Sequence, residues 1–183
     1  MADYITTYSK VHFTPMEPKA EEILISDIAH PLSLLTRANG HFPQFYSVGQ
    51  HSIQCAREAA ARGYSDRLVL ACLIHDASEA YLSDITRPVK KNLPGYRSAE
   101  RVLQDAIYRK FLGSLPDEKE AALIKHVDDT CLYYEFYHFA GEKLFECPGE
   151  MLSQADFSLR PFIDVEEEFT ELFERYSASV RKL

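Results

Sequence analysis

The chain has no tryptophan, only four cysteines and only seven glycines in 183 residues. Cys55, Cys72, Cys131 and Cys147 show no CxxC spacing, and three of them lie in apolar helical patterns where a free thiol acts as a small hydrophobe. That argues against a disulfide framework and against a zinc-thiolate site. No stretch approaches the about 18 to 20 consecutive apolar residues of a membrane span, and the opening Met1-Ala2-Asp3-Tyr4-Ile5-Thr6 lacks a basic region followed by an apolar core. A cytoplasmic protein without membrane contact is therefore expected. Positive charge is also scarce: 20 Lys and Arg against 28 Asp and Glu give a formal net charge of −8. Stable nucleic-acid binding needs clustered basic residues to neutralise phosphates, so this balance argues against it. A small anionic substrate remains compatible, because a divalent cation and one or two basic side chains make a local positive centre whatever the overall sign.

What is present is enough apolar content, 46% of the residues, to bury a core. The length fits one domain spanning 1–183, and the periodicities predict an all-α helical bundle. Residues 1–22, with Pro15 and Pro18 and no helical period, read as an extended lead-in. Ser26 to Leu35 reads as a short helix that ends before Asn39-Gly40. Another opens at Ser47 or Gln50, carries His51, Cys55 and Ala59 on one stripe, and stops at Gly63. Ser65-Asp66 can cap a helix that is apolar all round from Leu68 to Ile74, as expected of a central buried helix, with His75-Asp76 in its later turns. Residues 98–112 and 117 to about 140 are predicted helical, 141–160 loop-like, and 165–180 a final amphipathic helix.

His75-Asp76, inside the run Leu73-Ile74-His75-Asp76-Ala77-Ser78-Glu79, puts an imidazole beside a carboxylate in apolar surroundings, where burying both unpaired would be costly. A metal site explains the pair. His51 upstream and Asp128 downstream lie on inward stripes of separate helices and complete a two-His, two-Asp ligand set. Periodicity alone leaves Asp129 open as a rival to Asp128, since a second apolar stripe of the same helix would admit it. Glu79 follows His75 by four residues, and Asp84 lies beyond it in Leu82-Ser83-Asp84-Ile85-Thr86-Arg87-Pro88. A closed structural metal site has no need of extra carboxylates, so these two favour a catalytic centre. The alternative is a histidine and an aspartate merely satisfied in the core, or a metal with only a folding role.

The order His51, His75-Asp76, Asp128 resembles that of the HD-domain metal-dependent phosphohydrolases. The longer run from His75-Asp76-Ala77-Ser78-Glu79 through Asp84, Pro88, Val89 and Lys90, together with Val48-Gly49-Gln50-His51-Ser52, is similar to the bacterial 5′-deoxynucleotidase branch. Asp128-Asp129-Thr130-Cys131-Leu132-Tyr133 reproduces that branch's last-ligand segment with Asp128 in register. The resemblance implies one divalent transition metal ion (Mn, Co, Fe, Ni or Zn) held by His51, His75, Asp76 and Asp128. It implies Glu79 and Asp84 as the catalytic carboxyls and Arg37, with Lys90, as phosphate-binding residues. The substrate expected is a small-molecule nucleotide, most directly a (deoxy)nucleoside monophosphate that loses its phosphate, and the branch also implies a homodimer. At the position where the branch carries a tryptophan concerned with sugar choice, this chain has Ala38. A triphosphohydrolase would use nearly the same residues, and a non-catalytic nucleotide-sensing or metal-sensing module is the different-class alternative.

Overall fold

Capping chemistry and the apolar stripes divide the chain into eight helices in the computed structural model, which describes residues 3–180. They are α1 (Ser26–Leu34), α2 (Val48–Ala61), α3 (Asp66–Leu73), α4 (Glu79–Leu82), α5 (Arg87–Lys90), α6 (Pro94–Leu112), α7 (Glu118–Ala140) and α8 (Phe162–Val180). The expected all-α class stands. The only strands among the described residues are β1 (Ile5–Thr6) and β2 (His12–Phe13), an antiparallel pair with Ile5 opposite Phe13. This hairpin is fastened to α1 by the buried Asp27, which accepts from Thr7 Oγ1 at 2.8 Å and from the Ser9 backbone N–H at 2.6 Å.

Two helix starts follow the capping box, in which side chains and backbone N–H groups satisfy each other reciprocally. Ser47 with Gln50 opens α2, and Asp117 with Glu120 opens α7. Ser65 caps α3 by accepting from Leu68 N–H. Gly113 and Gly141 end α6 and α7 in the left-handed conformation that favours glycine. α6 begins at Pro94 rather than at 98, because proline suits the first helical turn, where its missing N–H has no partner to lose. For the same reason Pro88 is accommodated in the first turn of the one-turn α5.

The core forms around α2 and α3, which pack on each other and on α8; α1 lies against both α2 and α8, and α7 covers the other side of α2 and α3. Leu70, Leu73 and Ile74 from the α3 region, Ile53 from α2, Leu103 and Ile107 from α6 and Phe169 from α8 are all essentially inaccessible. Each contributes about 1.5–3 kcal/mol by leaving water. Gly49 sets how closely α2 approaches its neighbours: a Cβ there would lie 3.0 Å from Val165 Cγ1 and 3.1 Å from the Leu32 carbonyl oxygen. Among the described residues, no helix is long and apolar enough to cross a membrane.

One element departs from its expected form in a way that matters. α3 ends at Leu73, and His75-Asp76 occupy the turn that joins it to α4 instead of a continuing helix. The side-chain amide of Gln104, on α6, supplies partners across this break, donating to the Ile74 carbonyl at 2.8 Å and accepting from Ser78 N–H at 3.1 Å. The interruption directs His75 and Asp76 to one side, while backbone groups freed from the helical ladder remain bonded.

Candidate metal centre and active site

Five elements bring the predicted residues to one place. His51 comes from the first turn of α2, His75 and Asp76 from the α3–α4 turn, Glu79 from the start of α4, Asp128 from mid-α7, and Arg37 from the loop after α1. His51 Nε2 lies 3.3 Å from His75 Nε2, 3.3 Å from Asp128 Oδ1 and 3.8 Å from Asp76 Oδ2. His75 Nε2 is 3.3 Å from Asp76 Oδ2 and 3.7 Å from Asp128 Oδ1. Two donors bound to one ion at about 2.1 Å stand roughly 3.0–3.4 Å apart, so these separations match a shared ion to within a few tenths of an ångström. Asp129 points elsewhere, to Lys125 and to Arg87 Nη2 at 3.0 Å. The structure thus brings Asp128, and not its neighbour, to the histidine pair.

Cys55 also reaches the centre. It follows His51 by one helical turn, its Sγ is 3.5 Å from His51 Nε2, and His51, Cys55 and His75 together offer ligand atoms within 4.8 Å of one another, a group that could hold a metal ion. Burial, and then the neighbouring Cys131, push the Cys55 thiol well above its ordinary range, so it keeps its proton. The carboxylates behave oppositely. Burial opposes the ionisation of Asp76, yet the contact with His75 outweighs it and holds the group well below the usual carboxylate range. Asp128 is likewise held well below that range by His51 and His75 against the effect of burial. Asp76 and Asp128 are thus the ionised groups beside the two imidazoles, while the thiol stays protonated.

Each imidazole has its outer nitrogen occupied. His75 Nδ1 donates to the Cys72 carbonyl at 2.7 Å. His51 Nδ1 is 2.6 Å from Oε1 of Glu135, a fully buried residue. Burial lowers the proton affinity of both rings, but the surrounding carboxylates more than compensate and raise both above the ordinary histidine value.

Glu79 and Asp84 stand beside the centre. Burial, reinforced by Asp76 and Asp84, raises Glu79 well above the usual carboxylate range. Burial raises Asp84 as well, against the opposing charge of Arg37. The Arg37 guanidinium, itself buried, lies 3.4 Å from Asp76 Oδ2, 3.9 Å from Asp84 Oδ2 and 3.5 Å from Glu135 Oε2. It is presented by a strained loop: Ala38 and Asn39 both adopt left-handed backbone angles, with φ of 52° and 51°. For a non-glycine residue this costs about 1–2 kcal/mol, and such strain concentrates at functional sites. Ala38 itself packs against Phe42, Tyr46 and Phe139.

Lys90 is not free to meet a ligand as expected. Its ammonium is bonded to Glu100 and lies 3.4 Å from Glu79 Oε1, so its charge is committed to the carboxyl next to the centre. The rim position is taken instead by Arg87, 52% exposed, whose Nη2 meets Asp128 Oδ2 at 3.2 Å. Three of the remaining histidines pack on aromatic rings: His12 stacks on Tyr4, His30 on Tyr8 with Nδ1 2.7 Å from Glu166, and His138 on Phe157, while His41 is exposed. Of the aromatic run on α7, Phe136 and Phe139 join the Phe42 cluster, and Tyr137 faces solvent.

Sequence reading had passed over Glu135, Arg87 and Gln104. For Glu135 a signal existed: it follows Asp128 by seven residues, two turns along the same face of α7. Arg87 and Gln104 carry no comparable periodic mark.

Fold and centre together define a predominantly helical protein in which His51, Cys55 and His75 form a group that could hold a metal ion, with Asp76 and Asp128 beside it. No family model matches the chain. It is 33% identical over 171 residues to the uncharacterized protein RCAP_rcc00048 of Rhodobacter capsulatus, a match spanning 85% of this chain and 86% of that protein, and it belongs to that protein's family. It is also 37% identical over 113 residues to the uncharacterized protein YfdR of Escherichia coli, covering 62% of this chain and 60% of that one.

Proposed function

We propose that this protein is a metal-dependent phosphohydrolase of the HD type that cleaves the phosphate ester of nucleotides, acting as a 5′-nucleotidase on nucleoside monophosphates. The observation that carries the reading is the convergence of Oδ2 of Asp76 and Oδ1 of Asp128 on the two Nε2 atoms of His51 and His75, each oxygen 3.3–3.8 Å from the imidazole nitrogens and the nitrogens 3.3 Å apart, beside two further carboxyls and a buried arginine. The similarity of the His75-to-Lys90 run to the nucleotidase branch narrows the ester to that of a nucleotide.

His51, His75, Asp76 and Asp128 would hold the divalent ion, a mixed nitrogen and oxygen set suited to Mn, Co, Fe, Ni or Zn. When bound, such an ion polarises a phosphoryl oxygen and lowers the pKa of a coordinated water. Arg37 supplies the fork of donors for the substrate's phosphate; its contacts of 3.4–3.9 Å to the surrounding acids are long, which leaves donor capacity for an incoming oxygen. Glu79 and Asp84, whose proton affinities burial raises, divide the proton transfers. One accepts a proton from the attacking water as its oxygen bonds to phosphorus. The other returns a proton to the ester oxygen as the phosphorus–oxygen bond breaks, releasing nucleoside and orthophosphate.

The test is phosphate release from a panel of ribo- and deoxyribonucleoside mono- and triphosphates, with Mn, Co or Mg or with EDTA, for wild type, Asp76→Ala and Glu79→Ala. Orthophosphate from monophosphates, abolished by EDTA and in both variants, is the expected result. Tripolyphosphate from triphosphates would move the assignment to a triphosphohydrolase. Absence of turnover on every nucleotide, with metal bound, would overturn the enzyme reading in favour of a sensing module.

A further inference from the structure

Glu135 is inaccessible to solvent in the second half of α7, with Cys131, Leu132, Tyr133 and Phe139 buried around it on the same helix. A carboxylate in such surroundings costs several kcal/mol unless fully partnered, and its partners here all belong to the site. Oε1 meets His51 Nδ1 at 2.6 Å and the Tyr46 hydroxyl at 3.3 Å, and Oε2 meets Arg37 Nη2 at 3.5 Å. The other imidazole of the centre, His75, rests instead on a neutral backbone carbonyl. One side chain therefore touches both a metal-ligating ring and the anion-binding guanidinium, through opposite oxygens.

We infer that Glu135 is a positioning residue that makes His51 a ligand through Nε2 and ties the grip of the centre on its metal to the grip of Arg37 on phosphate. This rests on the proposed metal-dependent reading. The Nδ1–H of His51 donates to Oε1, which leaves the Nε2 lone pair directed at His75, Asp76 and Asp128 and makes the ring a more basic ligand. The same carboxylate restrains Arg37 from behind, so substitution at 135 disturbs both functions, although Glu135 contacts neither ion nor substrate. Glu135→Gln isolates the effect: the amide oxygen can still accept from His51, while the charge is lost and the amide N–H₂ faces Arg37, donor against donor.

The experiment uses the full chain stripped of metal and titrated with Mn²⁺, followed by inorganic phosphate on the metal-loaded protein. Wild type should bind one Mn²⁺, and Glu135→Gln should bind it about 10- to 100-fold more weakly, with weaker phosphate binding even at saturating Mn²⁺. Tyr46→Phe, which keeps the carboxylate, should retain Mn²⁺ affinity within a few-fold. Equal Mn²⁺ affinity in wild type and Glu135→Gln would overturn the inference and leave the metal-dependent reading intact. Failure of wild type to bind Mn²⁺ or any of Co²⁺, Ni²⁺ and Zn²⁺ would overturn both. Should Glu135→Gln not fold, the side-chain ¹⁵N spectrum of metal-free wild type, recorded at a pH high enough for the His51 ring to be neutral, decides: an Nδ1–H tautomer at His51 is expected, and an Nε2–H tautomer would overturn it.

Discussion

Replacing Glu79 by glutamine should make the metal-free protein more stable while destroying the proposed activity. Glu79 is almost wholly buried, its Oε2 is inaccessible and without a hydrogen-bond partner, and its Oε1 has only the 3.4 Å contact with Lys90. A buried acceptor left unpaired costs about 1–3 kcal/mol. An amide in its place removes the charge that Asp76 and Asp84 oppose and can turn that orphan into a donor, and Lys90 keeps its bond to Glu100. A gain of about 1–3 kcal/mol is expected, and at about 2–4 °C per kcal/mol for a chain of this size the melting temperature should rise by several degrees. The pH dependence has a definite sign. The folded-state pKa of Glu79 is raised above its unfolded value by burial and by Asp76 and Asp84, so its protonated form favours the fold. That contribution is fully present below the unfolded pKa, near 4.5, and is lost as pH rises through the folded one. The advantage of Glu79→Gln should therefore be largest above neutral pH and shrink as pH falls toward 4.5. Thermal melts of both proteins in EDTA at several pH values, with nucleotide hydrolysis assayed alongside, measure both halves. Hydrolysis should fall about 10²- to 10⁴-fold. A variant that is less stable at pH 8, or that hydrolyses like wild type, would refute the account of Glu79 as a proton-transfer group held at an energetic cost.

Metal should stabilise the wild type by RT ln(1 + [L]/Kd), about 2.7 kcal/mol at one hundred times Kd; a shift in melting temperature on adding Mn²⁺ should be lost in Asp128→Ala and kept in Asp129→Ala. Arg87→Ala should leave the melting temperature within about 1 °C, because a half-exposed ion pair contributes only about 0–1 kcal/mol, while KM for a nucleotide rises severalfold with kcat little changed. Steady-state kinetics and a melt on the same preparation check that split, and an unchanged KM would remove Arg87 from the substrate path. Gly49→Ala should destabilise by about 1–3 kcal/mol in urea titration, since its Cβ meets Val165 and the Leu32 backbone at 3.0–3.2 Å and backbone cannot move aside.

Local rules account for a great deal of this protein when taken from sequence alone. The mainly helical class, the starts of α2, α3 and α7 and the glycine end of α6 follow from apolar periodicity and terminal chemistry, which act over a few residues. His51, His75 and Asp76 could be picked out because a polar group in apolar surroundings is costly without a partner, whereas Asp128 rested on the resemblance. The tertiary structure decided what those rules cannot reach. It stopped α3 at Leu73 and sent His75-Asp76 into a turn, because Gln104 from a distant helix replaces the lost ladder bonds. It separated Asp128 from Asp129, which periodicity had left open, by setting Asp128 against His51 and His75 and Asp129 against Arg87 and Lys125. It tied Lys90 to Glu79 and Glu100, put Arg87 at the rim, and set Glu135 behind both His51 and Arg37. These are contacts between residues 10 to 98 positions apart, and their energies depend on distance and burial in three dimensions, quantities that no spacing along the chain encodes.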